Sequence, residues 1–213
     1  MMINLKIKNK SYDKVIFTDA QIEVEKGDFI GIKGPSGSGK STLLSILGLL
    51  ETFDGEYYFE EQLVTKKNLE KIRQNNIAYI FQKPYLIPYL NIKDNILMPL
   101  KNAKEKWDES FFQEIVNLLS IEDLIHRYPD KLSGGEAQRV AIARAIMTKR
   151  KLILCDEPTG SLDPANSIKV MNKLKEVVEK YNQTIVMVTH SNDFDNYFNK
   201  LYYIRNEKIE NDK

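Results

Sequence analysis

The chain has 213 residues, of which 42% are hydrophobic and 29% are charged, and these proportions are typical of a globular protein with one sizeable core. Its formal net charge of +1 gives no electrostatic argument for nucleic-acid binding, so no nucleic-acid partner is expected. Cys155 is the only cysteine, which excludes an internal disulfide and a cysteine metal cluster. No apolar stretch approaches the roughly 18 residues that a membrane helix needs. We therefore expect a cytosolic chain that reaches a membrane only through a partner.

Short strand patterns dominate the first sixty residues. Residues 3–8, 14–17 and 21–24 are predicted strands, and the hairpin-like stretch 55–60 belongs with them. The alternation of apolar and polar residues at the N-terminus is a strand pattern and differs from the apolar core of a signal peptide. These segments predict an antiparallel β layer.

Two aromatic residues of this layer are candidates for contact with a purine base. Tyr12 lies ahead of the glycine-rich loop described next, and an aromatic ring at this place can stack on a base. The alternative for Tyr12 is packing at the edge of the layer, and Phe17 is the competing aromatic residue.

A glycine-rich loop lies between a predicted strand, 29–33, and a predicted helix, 42–50, and it fits the phosphate-loop pattern G-x-x-x-x-G-K-[ST] with no departure. The positions predicted to bind nucleotide here are Gly34, Pro35, Ser36, Gly37, Ser38, Gly39, Lys40, Ser41 and Thr42. Glycines let successive N–H groups turn inward around anionic oxygens, and the helix directs its positive dipole end at the same place. Lys40 adds a charge for the β- and γ-phosphates, and the Ser41 hydroxyl suits Mg²⁺. A plain turn between strand and helix is the alternative interpretation.

The next predicted strand, 77–81, ends at a glutamine. The carboxyl ends of strands in an open α/β sheet are where ligands bind, so Gln82 is predicted to reach a metal ion or an attacking water. After Gln82 the pattern becomes helical, with predicted helices over 91–98 and 108–125. We predict that residues 83–131 form a helical subdomain inserted into the α/β core.

A second glycine-bearing loop precedes a predicted helix, 137–147. Ser133, Gly134 and Gly135 place a hydroxyl and bare amides at the start of this helix, which is an anion-binding arrangement. The alternative is that Ser133 is an ordinary N-cap beside two glycines.

Two carboxylates end the predicted strand 152–157. The four apolar residues before them indicate a buried strand that delivers Asp156 and Glu157 to the carboxyl edge of the sheet, beside the phosphate loop. Asp156 is predicted to hold Mg²⁺, and Glu157 to position and deprotonate the water that attacks the γ-phosphate.

The last quarter of the chain adds two further candidates. Asp163 is a predicted N-cap for the helix 165–181, and His190 follows the buried strand 184–188, where it is predicted to contact the γ-phosphate. Residues 201–204 are a predicted strand before a charged tail. The side chains predicted to face the core from the helix are Ile168, Met171, Leu174, Val178 and Tyr181.

Taken together, these elements predict an α/β fold: a phosphate-loop NTPase core with a mostly parallel sheet and flanking helices, an antiparallel β subdomain and an inserted helical subdomain, in one domain spanning 1–213. The order of the motifs resembles the ATP-binding cassette (ABC) ATPases along nearly the whole chain. This resemblance implies a head-to-tail homodimer around two ATP molecules and Mg²⁺, with Tyr12 stacking on adenine and Asp163 near the nucleotide. It also implies that Ser133 and Gly135 of one subunit complete the site of the other, which contains Lys40, Ser41, Gln82, Asp156, Glu157 and His190.

A narrower resemblance rests on residues 81–88, 95–100 and 157–163. They look like the subgroup of lipoprotein-releasing, macrolide- and peptide-export and cell-division ATPases, which work with a membrane permease. The apolar run 85–90 is then the candidate permease contact, and the chain would lie at the inner face of the cell membrane. Glu136 departs from the family pattern, in which glutamine is commoner at this position.

The leading hypothesis is thus an ATP-hydrolysing subunit that drives a separate permease in export, extraction or mechanotransmission. One alternative is a soluble ABC ATPase that acts on a macromolecular partner without transport. Another is a phosphate-loop kinase, which would have no use for the segment 132–136.

Overall fold

The computed structural model describes residues 1–212, which form two β-sheets and six α-helices. The strands of this part of the chain are β1 (Ile3–Ser11), β2 (Val15–Val24), β3 (Phe29–Lys33), β4 (Asp54–Phe59), β5 (Gln62–Leu63), β6 (Ile77–Ile80), β7 (Leu152–Asp156), β8 (Thr184–Val188), β9 (Lys200–Arg205) and β10 (Lys208–Asn211). The helices are α1 (Lys40–Leu47), α2 (Leu69–Asn76), α3 (Ile92–Ala103), α4 (Glu109–Leu119), α5 (Gly134–Met147) and α6 (Pro164–Tyr181).

The N-terminal sheet is antiparallel, with the strand order β2-β1-β4-β5. The predicted strands 14–17 and 21–24 are one continuous strand, β2, which corrects the prediction of two separate strands. The strand is continuous because β2 pairs with β1 along its whole length. The pairing runs from Ile3 opposite Val24 to Ser11 opposite Val15, with a single irregularity near Lys10.

The central sheet has the order β10-β9-β3-β8-β7-β6. Strands β9, β3, β8, β7 and β6 run parallel, and β10 pairs with β9 in the antiparallel direction. Both faces of this sheet are covered: Leu152 and Leu154 of β7 pack on one side, whereas Ile153 and Cys155 pack on the other. This double burial explains why the sequence shows continuous apolar runs here. Strand β8 separates β3 from β7, and the carboxylates of Asp156 and Glu157 still lie close enough to the phosphate loop to interact electrostatically with Lys40.

The helices cover the two faces of the central sheet. Helix α1 packs between the central sheet and the N-terminal sheet, and α3 to α6 pack on the other face. Helix α3 continues through Pro99, whereas the prediction ended it before the proline. Helix α4 ends at Leu119 because Ser120 adopts a left-handed backbone, so the predicted helix 108–125 is too long. The apolar side chains of α3 and α4 share one core with α5, and the predicted boundaries of the inserted subdomain remain a prediction.

Two predictions about the C-terminal part were wrong. Ile168 is 49% exposed, whereas Met171 and Leu174 are buried together with Val170 and Val177. Val178 and Tyr181 are partly buried against the core, as predicted. Ser167 in the same turn is buried, so Ile168 is exposed because it lies outside the buried face of the helix. The predicted charged tail contains β10, whose pairing with β9 overrides its low hydrophobicity. Within residues 1–212, no helix combines the length and the apolar character that crossing a membrane requires.

Candidate nucleotide site

Four neighbouring parallel strands deliver the predicted site residues to one edge of the central sheet. Strand β3 leads into the phosphate loop, and β8, β7 and β6 follow across the sheet. Their carboxyl ends lead to His190, to Asp156 and Glu157, and to Gln82. Because parallel strands end at the same edge, residues from positions 34 to 190 of the chain gather at one place.

Three glycines shape the phosphate loop. Gly34, Gly37 and Gly39 have φ angles of 153°, 75° and 102°, a region that side chains with a Cβ seldom adopt. A Cβ on Gly39 would lie 2.5 Å from Cγ2 of Ile16 and 2.9 Å from the ring of Phe17. The loop is therefore pressed against β2, and no larger residue fits at position 39.

The ammonium of Lys40 lies inside the curve of the loop. Its Nζ donates to the carbonyl oxygens of Gly34, at 2.9 Å, and Pro35, at 2.8 Å. Burial lowers the pKa of Lys40, although the carboxylates of Glu157 and Asp156 act in the opposite direction. The loop thus holds a poorly solvated positive charge at the start of α1, where an anionic ligand would be attracted.

The remaining loop positions provide further polar groups. Ser36 and Ser41 are exposed, and Thr42 is half-buried in the first turn of α1. The hydroxyl oxygen of Ser38 is buried and has no hydrogen-bond partner within residues 1–212. A loop that keeps a free hydroxyl, a buried ammonium and inward-curling amides fits a polyphosphate ligand.

The two acids lie at the end of β7 in different backbone conformations. Asp156 is still part of the strand, and burial together with the neighbouring charge of Glu157 raises the pKa of its carboxyl. Glu157 has a left-handed φ of 46°, which is strained for a residue other than glycine. The turn is held because Glu157 N donates to Val188 O at 3.1 Å and Gly160 N donates to Glu157 O at 3.0 Å. Strain maintained in this way fixes the direction of the Glu157 side chain.

Glu157 lies between His190 and Gln82. Nε2 of His190 is 2.8 Å from Oε1 of Glu157. A Cβ on Gly160 would lie 2.9 Å from Nε2 of Gln82 and 3.3 Å from Oε2 of Glu157, so both side chains reach this glycine. Beside them is a cleft of about 440 Å³ that Glu157, Gly160 and His190 help to line, together with apolar residues of α6.

The two candidate aromatic residues have very different exposure. Phe17 is fully buried beneath Gly39 and has no free face for a base. Tyr12 is 55% exposed, and the ammonium of Lys10 lies 4.3 Å from the centre of its ring. Stacking by Tyr12 remains a prediction, but Phe17 no longer competes with it.

The second glycine-bearing loop caps α5. The Ser133 hydroxyl accepts from Glu136 N at 3.3 Å, and the Glu136 carboxylate accepts from Ser133 N at 2.7 Å, which together form a capping box. This contact with the Ser133 amide lowers the pKa of Glu136. Ser133 and Gly134 are exposed, whereas Gly135 is buried against Asn166. Within residues 1–212, no hydrogen bond joins this loop to the phosphate loop.

Asp163 lies near the second loop and forms no hydrogen bond to the phosphate loop within residues 1–212. Its carboxylate caps α6 by accepting from Asn166 N at 3.1 Å and from Asn166 Nδ2 at 2.6 Å. Since Asn166 also packs against Gly135, the starts of α5 and α6 are joined through this one side chain.

Asn166, and Lys33 at the end of β3, also shape the site, although no sequence pattern indicates a role for either residue. Lys33 is buried, and its ammonium donates to Asn192 Oδ1 at 2.8 Å and pairs with Asp195. This pair joins the strand before the phosphate loop to the segment after His190. The only sequence feature that could have indicated this contact is a lysine at the end of an apolar strand. Nothing in the sequence indicates that its partner is Asp195.

Comparison with known proteins agrees with this geometry. A family model described as ABC transporter matches residues 17–160. The chain is 37% identical to the lipoprotein-releasing system ATP-binding protein LolD of Rickettsia bellii, over 89% of this chain and 86% of that protein. It is 42% identical to the macrolide export ATP-binding/permease protein MacB of Campylobacter jejuni, over 84% of this chain and 28% of that longer protein.

Solved structures give the same result. The dimeric structure of MJ0796, an ABC transporter cassette known from Methanocaldococcus jannaschii, matches with a TM-score of 0.85 and 33% identity, over 98% of this chain and 97% of that one. A second structure of that cassette, in a post-hydrolysis state bound to ADP and Pi, matches with a TM-score of 0.84.

A parallel sheet with a phosphate loop and paired acids at its carboxyl edge defines a phosphate-loop ATPase, and the chain belongs to the ABC transporter family. Within that family it is an ATP-binding subunit of a transporter, and it hydrolyses ATP. The predicted fold class, family and enzyme class are confirmed. These relatives support the transport hypothesis and give no support to the non-transport alternative.

Proposed function

We propose that two copies of this chain form a head-to-tail dimer that encloses two ATP molecules and drives a separate membrane permease. The observation that carries the proposal is the separation of two anion-binding helix starts within one subunit. One is the phosphate loop with Lys40, and the other is the exposed Ser133 and Gly134 at the start of α5. A second subunit placed head to tail brings its Ser133 to the first subunit's phosphate loop. The dimeric form of the MJ0796 cassette supports this arrangement.

Within each site, the phosphate loop holds the triphosphate. Its backbone N–H groups and Lys40 bind the β- and γ-phosphates, and Tyr12 stacks on the adenine. Ser133 and Gly135 of the partner copy donate to the γ-phosphate from the other side. Asp163 lies at the dimer interface and holds the start of α6 beside Gly135 through Asn166.

The side chains Ser41, Gln82 and Asp156 would hold Mg²⁺. They offer a hydroxyl, an amide and a carboxylate oxygen, which are the ligands that Mg²⁺ prefers. Burial already disfavours the charged form of Asp156, so its carboxylate would gain from a cation. When bound, Mg²⁺ supplies charge neutralisation for the phosphates.

Glu157 is the general base of the proposed hydrolysis. Its Oε1 is held by His190, which leaves Oε2, on the side of Gln82, free to accept a proton from the attacking water. His190 is half-exposed and also contacts the γ-phosphate in this proposal. Gln82 orients the water, and the strained turn at Glu157 holds the Glu157 side chain in position between His190 and Gln82.

The permease contact is proposed at the apolar run 85–90. Tyr85 is 66% exposed and Tyr89 is 78% exposed, although both lie in a stretch rich in large apolar residues. The subunit would therefore sit on the inner face of the membrane through its permease. The relatives LolD and MacB, whose names describe lipoprotein release and macrolide export, favour a role in export or extraction.

The test is nucleotide-driven dimerisation of Glu157→Gln. This variant should bind ATP and Mg²⁺, form a dimer detected by sedimentation velocity, and lose nearly all turnover, since a positioned base contributes about 10²–10⁴-fold. Ser133→Ala in the same background should weaken the dimer without changing ATP binding to the monomer. A strictly monomeric Glu157→Gln at high protein concentration with saturating Mg²⁺ and ATP would overturn the proposal.

A further inference from the structure

Helix α5 holds the segment 81–85 through two side chains. Nε2 of Gln138 donates to the carbonyl oxygen of Phe81 at 3.1 Å. The guanidinium of Arg144 donates to the carbonyl oxygens of Pro84, at 2.6 Å, and Tyr85, at 2.9 Å. Three carbonyl groups of a five-residue segment are thus bound to one helix.

Both side chains have unusual surroundings for polar residues on a largely buried helix. Gln138 is 1% exposed in a run of small and apolar residues, and its Oε1 has no partner within residues 1–212. Arg144 forms no ion pair with a carboxylate in this part of the chain and uses its charge on the two carbonyls alone. The bonds from Arg144 are charge-assisted and therefore stronger than the neutral bond from Gln138, so the segment is held most firmly at Pro84 and Tyr85.

The segment and the helix serve different nucleotides. Gln82 follows Phe81 and belongs to the site of its own subunit, whereas Ser133 caps α5 and, in the proposed dimer, faces the nucleotide of the partner. Because α5 is a continuous 14-residue helix, a displacement of its Ser133 end moves Gln138 and Arg144 with it. The carbonyls that these side chains hold must then follow, and Gln82 moves with them.

We propose that Gln138 and Arg144 are positioning residues that link the two ATP sites of the dimer. Closure of the Ser133 end on the nucleotide of one site sets the place of Gln82 in the other. The proposal rests on the proposed dimer. The buried Oε1 of Gln138 has no donor within residues 1–212, which is uncommon for a buried acceptor and leaves this side chain held by its single bond to Phe81.

The test uses Gln138→Met and Arg144→Met, which keep side-chain length and remove the donors. We expect kcat to fall about 5- to 100-fold and the Hill coefficient for ATP to approach one. The Kd of the isolated monomer for ATP should change by no more than about twofold, because the phosphate loop is untouched. Arg144→Lys, which can still donate to one carbonyl, should restore part of the loss.

Arg150→Met is the matched control. Arg150 lies just beyond α5, and its guanidinium is 2.7 Å from Glu105, so its removal breaks a partly buried contact that does not involve the segment 81–85. We expect this variant to lower the melting temperature but to leave the Hill coefficient unchanged. An equal loss of kcat and cooperativity in Arg150→Met would overturn the proposal, because general destabilisation would then explain the data.

Dimerisation separates this proposal from the one on which it rests. If Glu157→Gln forms the ATP-dependent dimer but Gln138→Met and Arg144→Met keep full kcat and cooperativity, the link between the sites is refuted while the dimer stands. If Glu157→Gln stays monomeric, the dimer itself fails. Non-additive losses in the double variant Gln138→Met/Arg144→Met would support a single path through α5.

Discussion

Nε2 of His190 lies 2.8 Å from Oε1 of Glu157, although the two residues leave different strands of the central sheet. The contact is possible because β7 and β8 are neighbours and run parallel, with Asp156 opposite Val188. A carboxylate in a strained turn and an imidazole at a strand end therefore orient each other.

Removal of this imidazole should reduce turnover more than ATP affinity. For His190→Ala we expect kcat to fall about 10- to 100-fold, because Glu157 loses the group that holds Oε1. The KM for ATP should change by less than about threefold, since the phosphate loop is intact. Steady-state hydrolysis measured with excess Mg²⁺ gives both values.

His126→Ala is the natural control, because His126 is the other histidine and is exposed near the surface turn before α5. Its kinetics should match those of the parent protein. A His190→Ala protein with unchanged kcat would show that the contact with Glu157 has no catalytic use.

Asp156→Asn should stabilise the nucleotide-free protein. Burial, helped by Glu157, raises the pKa of Asp156, so the folded state binds protons more tightly than the unfolded chain. The cost of the carboxylate is therefore absent at low pH and grows as pH rises through the folded pKa. The amide removes that cost, and the melting temperature should rise by ~2–4 °C for each kcal/mol gained.

The increase in melting temperature should be larger near pH 7.5 than near pH 5. When Mg²⁺ and ATP are added, Asp156→Asn should be stabilised less than the parent protein. Asp123→Asn, at an exposed acid, provides a baseline for the loss of one charge. An equal change in melting temperature at both pH values, or a decrease, would contradict this account of Asp156.

Glu136→Gln should strengthen the nucleotide-driven dimer. The carboxylate of Glu136 is held at the Ser133 amide and has a lowered pKa, so it remains charged where the partner's triphosphate is proposed to bind. Glutamine can also close a capping box, so the stability of the monomer should change little. In the Glu157→Gln background we expect the dimer Kd to fall severalfold at low salt, with a smaller effect as salt screens the repulsion. An unchanged or higher dimer Kd in sedimentation velocity would refute this prediction for Glu136→Gln.

Charged substitutions in the run 85–90 should uncouple the subunit from its permease. Tyr89→Glu places a charge on a highly exposed ring, so basal hydrolysis should stay within about twofold while stimulation by the reconstituted permease is lost. Tyr128→Glu, at another exposed tyrosine, should keep that stimulation. Loss of basal activity together with unfolding would instead place Tyr89 in the core.

Local motifs of this chain could be predicted from the sequence because the information lies within a few consecutive residues. The strand, loop and helix around Lys40 are an example, as are the apolar run before Asp156 and the cap at Asp163. The errors came from distant contacts. Pairing with β1 makes β2 one strand, pairing with β9 turns the tail into β10, and the way α6 packs on its neighbours leaves Ile168 exposed.

The site shows the same division. The residues of the candidate site could be predicted from the sequence, but the distances and contacts between them could not. The contact of His190 with Glu157, the burial of Phe17 beneath Gly39 and the donation from Gln138 to Phe81 all depend on the order of strands and on packing between distant segments. Their catalytic and binding roles remain predictions.

The insertion of β8 between β3 and β7 has a consequence for biosynthesis. Both neighbours are translated before residue 184. Strand β7 can pair with β6 at that stage, but β3 has no partner in the central sheet until β8 and β9 leave the ribosome. A nascent chain that already carries the whole phosphate loop would thus lack the strand that joins it to the acids. We expect newly made subunits to bind ATP only at the very end of translation. Chains truncated before β8 should bind chaperones and should not bind nucleotide.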